Sequence, residues 1–144
     1  MYQPTPADLK EIAEQLSMGF RAFVHKENGE LLFFPDERQF WGEDFSAWKK
    51  EMDKLENNPD EYLEIDKWTS YDAFRIMADF AEQVTNSSLK NKLVEALNKR
   101  KPFQGFRFIV DNDFDLREDW FVFRDKGQQE YVRRQFYTDS EEMD

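Results

Sequence analysis

Apolar side chains recur along this chain in two rhythms, one of three and four residues and one of two, and the switches between them mark its elements. Leu9, Ile12, Ala13 and Leu16 keep the helical spacing behind Thr5-Pro6-Ala7-Asp8, which supplies a capping hydroxyl, a proline at the first helical position and an acid in the first turn. Gly19 is placed to end that helix. Phe20 to His25 and Leu31 to Phe34 favour β structure on either side of Glu27-Asn28-Gly29-Glu30. Asn-Gly there signals a hairpin, because a type I′ turn needs positive φ at both central residues. A two-residue turn would set Lys26 opposite Leu31, His25 opposite Leu32, Val24 opposite Phe33, Phe23 opposite Phe34 and Arg21 opposite Asp36. Both faces of such a hairpin are partly apolar, so it needs cover on both sides or a third strand, for which Tyr62 to Ile65 is the candidate.

Between these strands Phe45, Trp48, Met52 and Leu55 mark an amphipathic helix that begins after Asp44 and ends before Asn57-Asn58-Pro59. Thr69 or Ser70 opens another, with Tyr71, Phe74, Met77, Phe80, Ala81 and Val84 inward, and Asn86-Ser87-Ser88 breaks it. Leu89, Leu93, Val94 and Leu97 form the next, whose end collects Lys99, Arg100 and Lys101 before Pro102. Phe103 to Val110 reads as a short helix or an irregular apolar segment, and Asp111-Asn112-Asp113 as a turn and cap. From Leu116 a long helix runs toward Phe136, weakened and open to a kink at Gly127, which costs about 1 kcal/mol relative to alanine. Its first part, Leu116 to Asp125, packs three large aromatics among charged residues, with apolar side chains around much of the circumference; it must be wedged between other elements or belong to an interface. The expectation is one α+β domain over residues 1–137, in which a small antiparallel sheet packs with five to six helices, and a frayed acidic tail over 138–144.

Composition narrows the chemistry. A chain of 144 residues is long enough for an ordinary core, and its 17% share of aromatics supplies the bulk. Cysteine is absent, which removes disulfides, thiolate metal sites and cysteine nucleophiles and agrees with a reducing compartment. With His25 the single histidine, a site built on several imidazoles is excluded within one chain. No basic-then-apolar segment opens the sequence and no run approaches the ~20 apolar residues that span a bilayer, so the expected setting is the cytoplasm, with no membrane partner. The net charge of −11 argues against a general nucleic-acid coat. Its distribution is uneven: residues 1–66 carry 7 basic and 16 acidic side chains, residues 67–110 carry 8 and 4, and residues 111–144 carry 5 and 11. The middle of the chain is therefore locally basic.

Three segments, Thr69 to Phe80, Arg100-Lys101-Pro102-Phe103-Gln104-Gly105-Phe106 and Leu116 to Asp125, resemble in order and spacing the carboxy-terminal portion of the bacterial uncharacterised protein family 0158. The hairpin ending its turn in Gly29-Glu30 is similar to that family's opening part. The resemblance implies an α+β fold and brings no catalytic residue with it.

Lys99, Arg100, Lys101 and Arg107, with Phe103 and Phe106 among them, could hold an anion, since cations beside aromatic faces suit phosphate contact plus base stacking. The plainer reading is a helix end whose dipole favours cations, followed by core-anchoring rings. Arg75 and Arg124 lie in otherwise apolar helices and could grip a ligand carboxylate or phosphate, or pair internally with Asp72, Asp79 or Asp125. Trp120 is a core residue or, if exposed, an interface residue. Asp111, Asp113, Asp115, Glu118 and Asp119 offer acids for hydrolysis or for a hard cation, but without the glycine and distal glutamate of a calcium loop; acids at a helix amino terminus also suit its dipole. His25 is expected as an edge or packed residue. No nucleophile elbow, phosphate-binding glycine loop or dinucleotide fingerprint is present, and no cofactor is expected. The leading expectation is a noncatalytic binding or regulatory module for a protein partner, self-association included. The alternatives are a nucleotide- or RNA-binding protein using the basic 90–107 region, and a carboxylate-dependent hydrolase.

Overall fold

The computed structural model describes the backbone of residues 1–142 and the side chains of residues 1–137. Among them the chain forms α1 (Pro6–Ser17), β1 (Phe20–His25), β2 (Leu31–Pro35), α2 (Lys49–Asn57), β3 (Tyr62–Ile65), α3 (Ser70–Gln83), α4 (Ser87–Leu97), α5 (Pro102–Asp111) and α6 (Phe114–Glu142). Single 3-10 turns precede α2 and β3. The fold is α+β, with the small antiparallel sheet and the number of helices that the hydrophobic rhythm implies. The chain divides into two compact units, Met1–Lys67 with Gln129–Asp144, and Trp68–Gln128. The acidic tail expected over 138–144 falls where no side chain is described.

In the sheet unit β1 is central, flanked by β2 and β3, both antiparallel to it. Phe23, Leu32, Phe34 and Tyr62 are buried on one face under Trp48, Met52 and Leu55. The alternation of a strand turns Ala22 and Val24 to the opposite face, where α1 lies along β1 with Ile12, Ala13 and Leu16 buried. Thr5 caps α1 as its sequence indicates: its hydroxyl accepts the Asp8 N–H at 3.1 Å and the Asp8 carboxylate accepts the Thr5 N–H at 3.0 Å. The last turns of α6 belong to this unit through Val132 and Phe136, both buried. Gln135 fixes them by donating to the Asp66 carbonyl at 2.8 Å and accepting the Asp66 N–H at 2.7 Å.

The hairpin register differs from the expected one by two residues. Val24 faces Leu31, Phe23 faces Leu32, Ala22 faces Phe33, Arg21 faces Phe34 and Phe20 faces Pro35. A type I′ turn does not form because only Gly29 takes positive φ, +78°, while Asn28 does not. The turn is longer, closed by the His25 N–H to the Glu30 carbonyl at 2.8 Å and the Gly29 N–H to the His25 carbonyl at 3.0 Å. His25 Nδ1 accepts the N–H groups of Glu27 and Asn28, each at 3.2 Å, and Asn28 Oδ1 accepts that of Glu30 at 2.8 Å. These side-chain bonds stabilise a wider turn, and a shift of two keeps every residue on its intended face.

The helical unit is built around rings. Trp120 meets Phe106 at 4.8 Å and Phe80 at 5.4 Å between centroids, both edge-on, and Phe123 tilts against Phe80 at 5.5 Å. Met77, Ala81, Leu93, Leu97, Val110 and Leu116 complete the cluster. Thr69 and Asp72 form a second capping box at the start of α3. Phe103 to Val110 is regular helix, inside α5. Gly127 does not break α6: a Cβ there would lie 3.1 Å from Ile76, so glycine lets α3 and α6 approach closely.

Candidate functional site

Helix α4 is capped by Asn86, whose side chain accepts the Leu89 N–H at 3.1 Å, and ends at Leu97 with no basic residue in its last turn. Lys99 and Arg100 follow, and Lys101 is the N-cap of α5, just before Pro102. A helix amino terminus carries partial positive charge, so its dipole does not account for a lysine there. The two helices meet at small residues, since a Cβ on Gly105 would lie 3.3 Å from the Ala96 Cβ. That approach leaves an open groove of about 650 Å³ with Ala96, Gly105 and Ile109 in its lining and Lys92, Lys99, Arg100, Lys101 and Phe108 around them.

Phe108 is the anomaly of this face. Residues two apart on a helix point about 200° apart, so with Phe106 fully buried the ring two residues on faces out. Phe108 is 71% exposed, and Phe103 is exposed as well. Of the groove's cations only Lys99 forms an ion pair among the described residues, with Glu95 at 3.6 Å on an exposed surface. Arg107 sits on α5 but outside the groove, 3.8 Å from Asp111. Lys99, Arg100 and Lys101 are thus brought together as the sequence suggests. Phe106 goes to the core, and Phe108 and Lys92 take places the motif reading missed. The signal for Phe108 was the Phe106-Arg107-Phe108 spacing, which cannot bury both rings in one helix.

The other candidates fall elsewhere. Trp120 is 4% exposed, in the core. Arg124 pairs with Asp125 at 3.0 Å and lies over the Phe121 ring at 4.9 Å. Arg75 is exposed on α3 and donates to the Tyr71 hydroxyl at 3.4 Å. Asp111 lies 3.8 Å from Arg107 and 4.0 Å from Arg117, while Asp113 caps α6 by accepting the Leu116 N–H at 3.0 Å. Asp113, Asp115 and Asp119 share a second open groove, about 710 Å³, with Phe80, Phe123 and Lys126. Among the described residues no three side chains of metal-ligating type gather as an ion would need. His25 stands edge-on to Tyr62 at 5.1 Å with Nε2 3.4 Å from Glu61, inside the turn it organises and not opposite Leu32.

Among the described residues no helix is long and apolar enough to cross a membrane. No solved structure matches the chain. A UPF0158 protein of Pseudomonas aeruginosa is 27% identical over 132 residues, which cover 90% of this chain and 80% of that protein. The model of the Uncharacterised protein family (UPF0158) matches residues 11–138, a span that includes the hairpin, all of α4 and α5 and most of α6. The chain belongs to the Uncharacterised protein family (UPF0158).

Proposed function

We propose that this protein is a noncatalytic binding module whose α4–α5 groove takes an acidic, aromatic-bearing segment of a protein partner. The observation that carries this reading is Phe108, exposed beside Lys92, Arg100 and Lys101, which have no carboxylate partner among the described residues. On this reading the exposed ring is the anchor, and its place beside cations without carboxylate partners selects a ligand that is apolar at its centre and negative at its edges. An apolar floor between two helices suits a peptide laid along it better than a phosphate chain, which would use the rim alone.

Fluorescence anisotropy of three labelled probes tests the reading: a peptide of glutamates around one tryptophan, the same peptide with alanine for tryptophan, and a single-stranded oligouridylate. The first is expected to bind, to lose affinity as salt rises, and to bind about tenfold or more weakly to the Lys99→Glu/Lys101→Glu variant. Preference for the oligouridylate would transfer the groove to nucleic acid, and no binding of any probe at low salt would end the proposal.

A further inference from the structure

One loop of the sheet unit carries the chemistry that this groove lacks. Residues 36–45, Asp-Glu-Arg-Gln-Phe-Trp-Gly-Glu-Asp-Phe, hold four acids against one arginine. At their centre Trp41 is 91% exposed, the most exposed of the large apolar side chains described. The loop itself is tied down. The Gln39 and Phe40 N–H groups both donate to the Asp36 carbonyl, at 2.9 and 3.1 Å, and the Phe40 ring stands edge-on to Phe20 at 6.3 Å. Arg38 is folded back onto Asp36 at 2.8 Å, and the Asp44 carboxylate accepts the Ser46 N–H at 2.9 Å. Phe40 thus anchors the segment while its neighbour Trp41 projects into solvent, flanked by Glu37, Glu43 and Asp44.

We infer that the partner segment is this loop in a second copy of the chain, with Trp41 of one copy seated against Phe108 and Ile109 of another and its acids beside Lys99, Arg100 and Lys101. The inference rests on the reading of the groove given above and supplies its occupant. Two features that each copy leaves unexplained complement each other in type: an exposed tryptophan in an acid-rich loop, and an exposed phenylalanine in a groove lined by several bases. Over residues 87–111 the count is six basic side chains against two acidic, opposite in sign to the loop. Such a contact uses different surfaces on the two copies, so it closes into a ring, the reciprocal pair being the smallest, or extends as chains. A single loop in a groove buries far less than a standard interface of roughly 1,600 Å², so the association is weak and salt-sensitive.

Sedimentation equilibrium of the full chain up to millimolar concentration, at low and high salt, reads it directly. The mean mass is expected to rise with concentration at low salt and to fall back toward the monomer at high salt. Trp41→Ala alone and Lys99→Glu/Lys101→Glu alone are each expected to stay monomeric, with thermal unfolding confirming that these surface variants fold. Mixed, they are expected to form a one-to-one heterodimer, since the first keeps an intact groove and the second an intact loop, and no longer species can grow from that pair. A chain monomeric at every concentration, or two variants that fail to combine, overturns the inference. If the glutamate–tryptophan peptide still binds in that case, the groove reading stands with another protein as its partner; if the peptide also fails, both fall.

Discussion

The two units of this chain differ in how they use polar side chains. In the sheet unit they are tied to one another across strands. Glu30 accepts from the Tyr62 hydroxyl at 2.6 Å and from Lys54 at 2.6 Å; Arg21 reaches Glu64 at 3.0 Å and lies over the rings of Phe23 and Phe34 at 5.0 and 5.6 Å. In the helical unit the rings form the core, the acids around Asp113 and Asp111 cap or pair, and Lys92, Arg100 and Lys101 of the α4–α5 groove have no carboxylate partner among the described residues. Charge that closes a network has a structural cause. Charge beside an exposed ring without a partner is where a ligand is to be sought.

The largest expected effect lies in the helical core. Trp120 contacts both Phe80 and Phe106, so Trp120→Ala is expected to cost about 3–5 kcal/mol, as large ring deletions from packed sites do. Urea unfolding followed by circular dichroism measures it, and a loss below about 1 kcal/mol would mean that the cluster does not hold this unit together. In the sheet unit, Tyr62→Phe is expected to cost about 1–2 kcal/mol by removing the bond to Glu30.

That bond also predicts a pH signature. Burial, then the hydroxyl's bond to Glu30, push the Tyr62 pKa from 10.0 to about 12. Because the folded value lies above the unfolded one, the protonated hydroxyl stabilises the fold fully below pH 10, and this contribution is lost as pH rises through about 12. Glu30 is shifted the other way, its carboxyl held below the ordinary range first by Lys54 and then by Tyr62, so its contribution is present above the unfolded value of about 4.5 and lost on acidification. Thermal melts of the native chain and Tyr62→Phe between pH 8 and 12 are expected to converge at the alkaline end. Parallel curves would show that the hydroxyl is not linked to stability. Smaller again is Asp113→Ala, which removes the cap of α6 and is expected to cost about 1 kcal/mol.

The contrast between the units also explains what could be read from the sequence. Helical spacing and caps are local: Thr5 was legible as the cap of α1 and Thr69 or Ser70 as the opening of α3, while the reciprocal bonds from Asp8 and Asp72 that complete two capping boxes were seen only in the fold. The third strand was legible because a hairpin with two partly apolar faces called for cover or extension, and Tyr62 to Ile65 was the candidate that extends it. The register was not, because it depends on His25 Nδ1 reaching two turn amides, a bond that no pattern of apolar residues encodes. Gly127 looked like a weakness within one helix and is a point of close approach to Ile76, which only a partner helix reveals. At the groove the cations of 99–101 were visible as a cluster, but the lack of an ion pair at Arg100 and Lys101 among the described residues and the outward turn of Phe108 are properties of the packed helices.

The smallest expected change is also the one that separates function from fold. If Lys99 and Lys101 served the stability of the helical unit, reversing them would register in unfolding. Lys99 has one exposed partner, Glu95 at 3.6 Å, a type of pair worth at most about 0.5 kcal/mol, and Lys101 has none among the described residues. Replacing Lys101 with glutamate also puts an acid at the N-cap of α5, where the dipole favours it by a few tenths of a kcal/mol. The two terms oppose each other, so Lys99→Glu/Lys101→Glu is expected to leave the unfolding free energy within about 0.5 kcal/mol of the native chain. Paired with the loss of peptide binding, that result assigns these lysines to a ligand. A destabilisation of 2 kcal/mol or more, on the scale of a lost buried contact, would instead return the basic cluster to the architecture and remove the contrast between the two units.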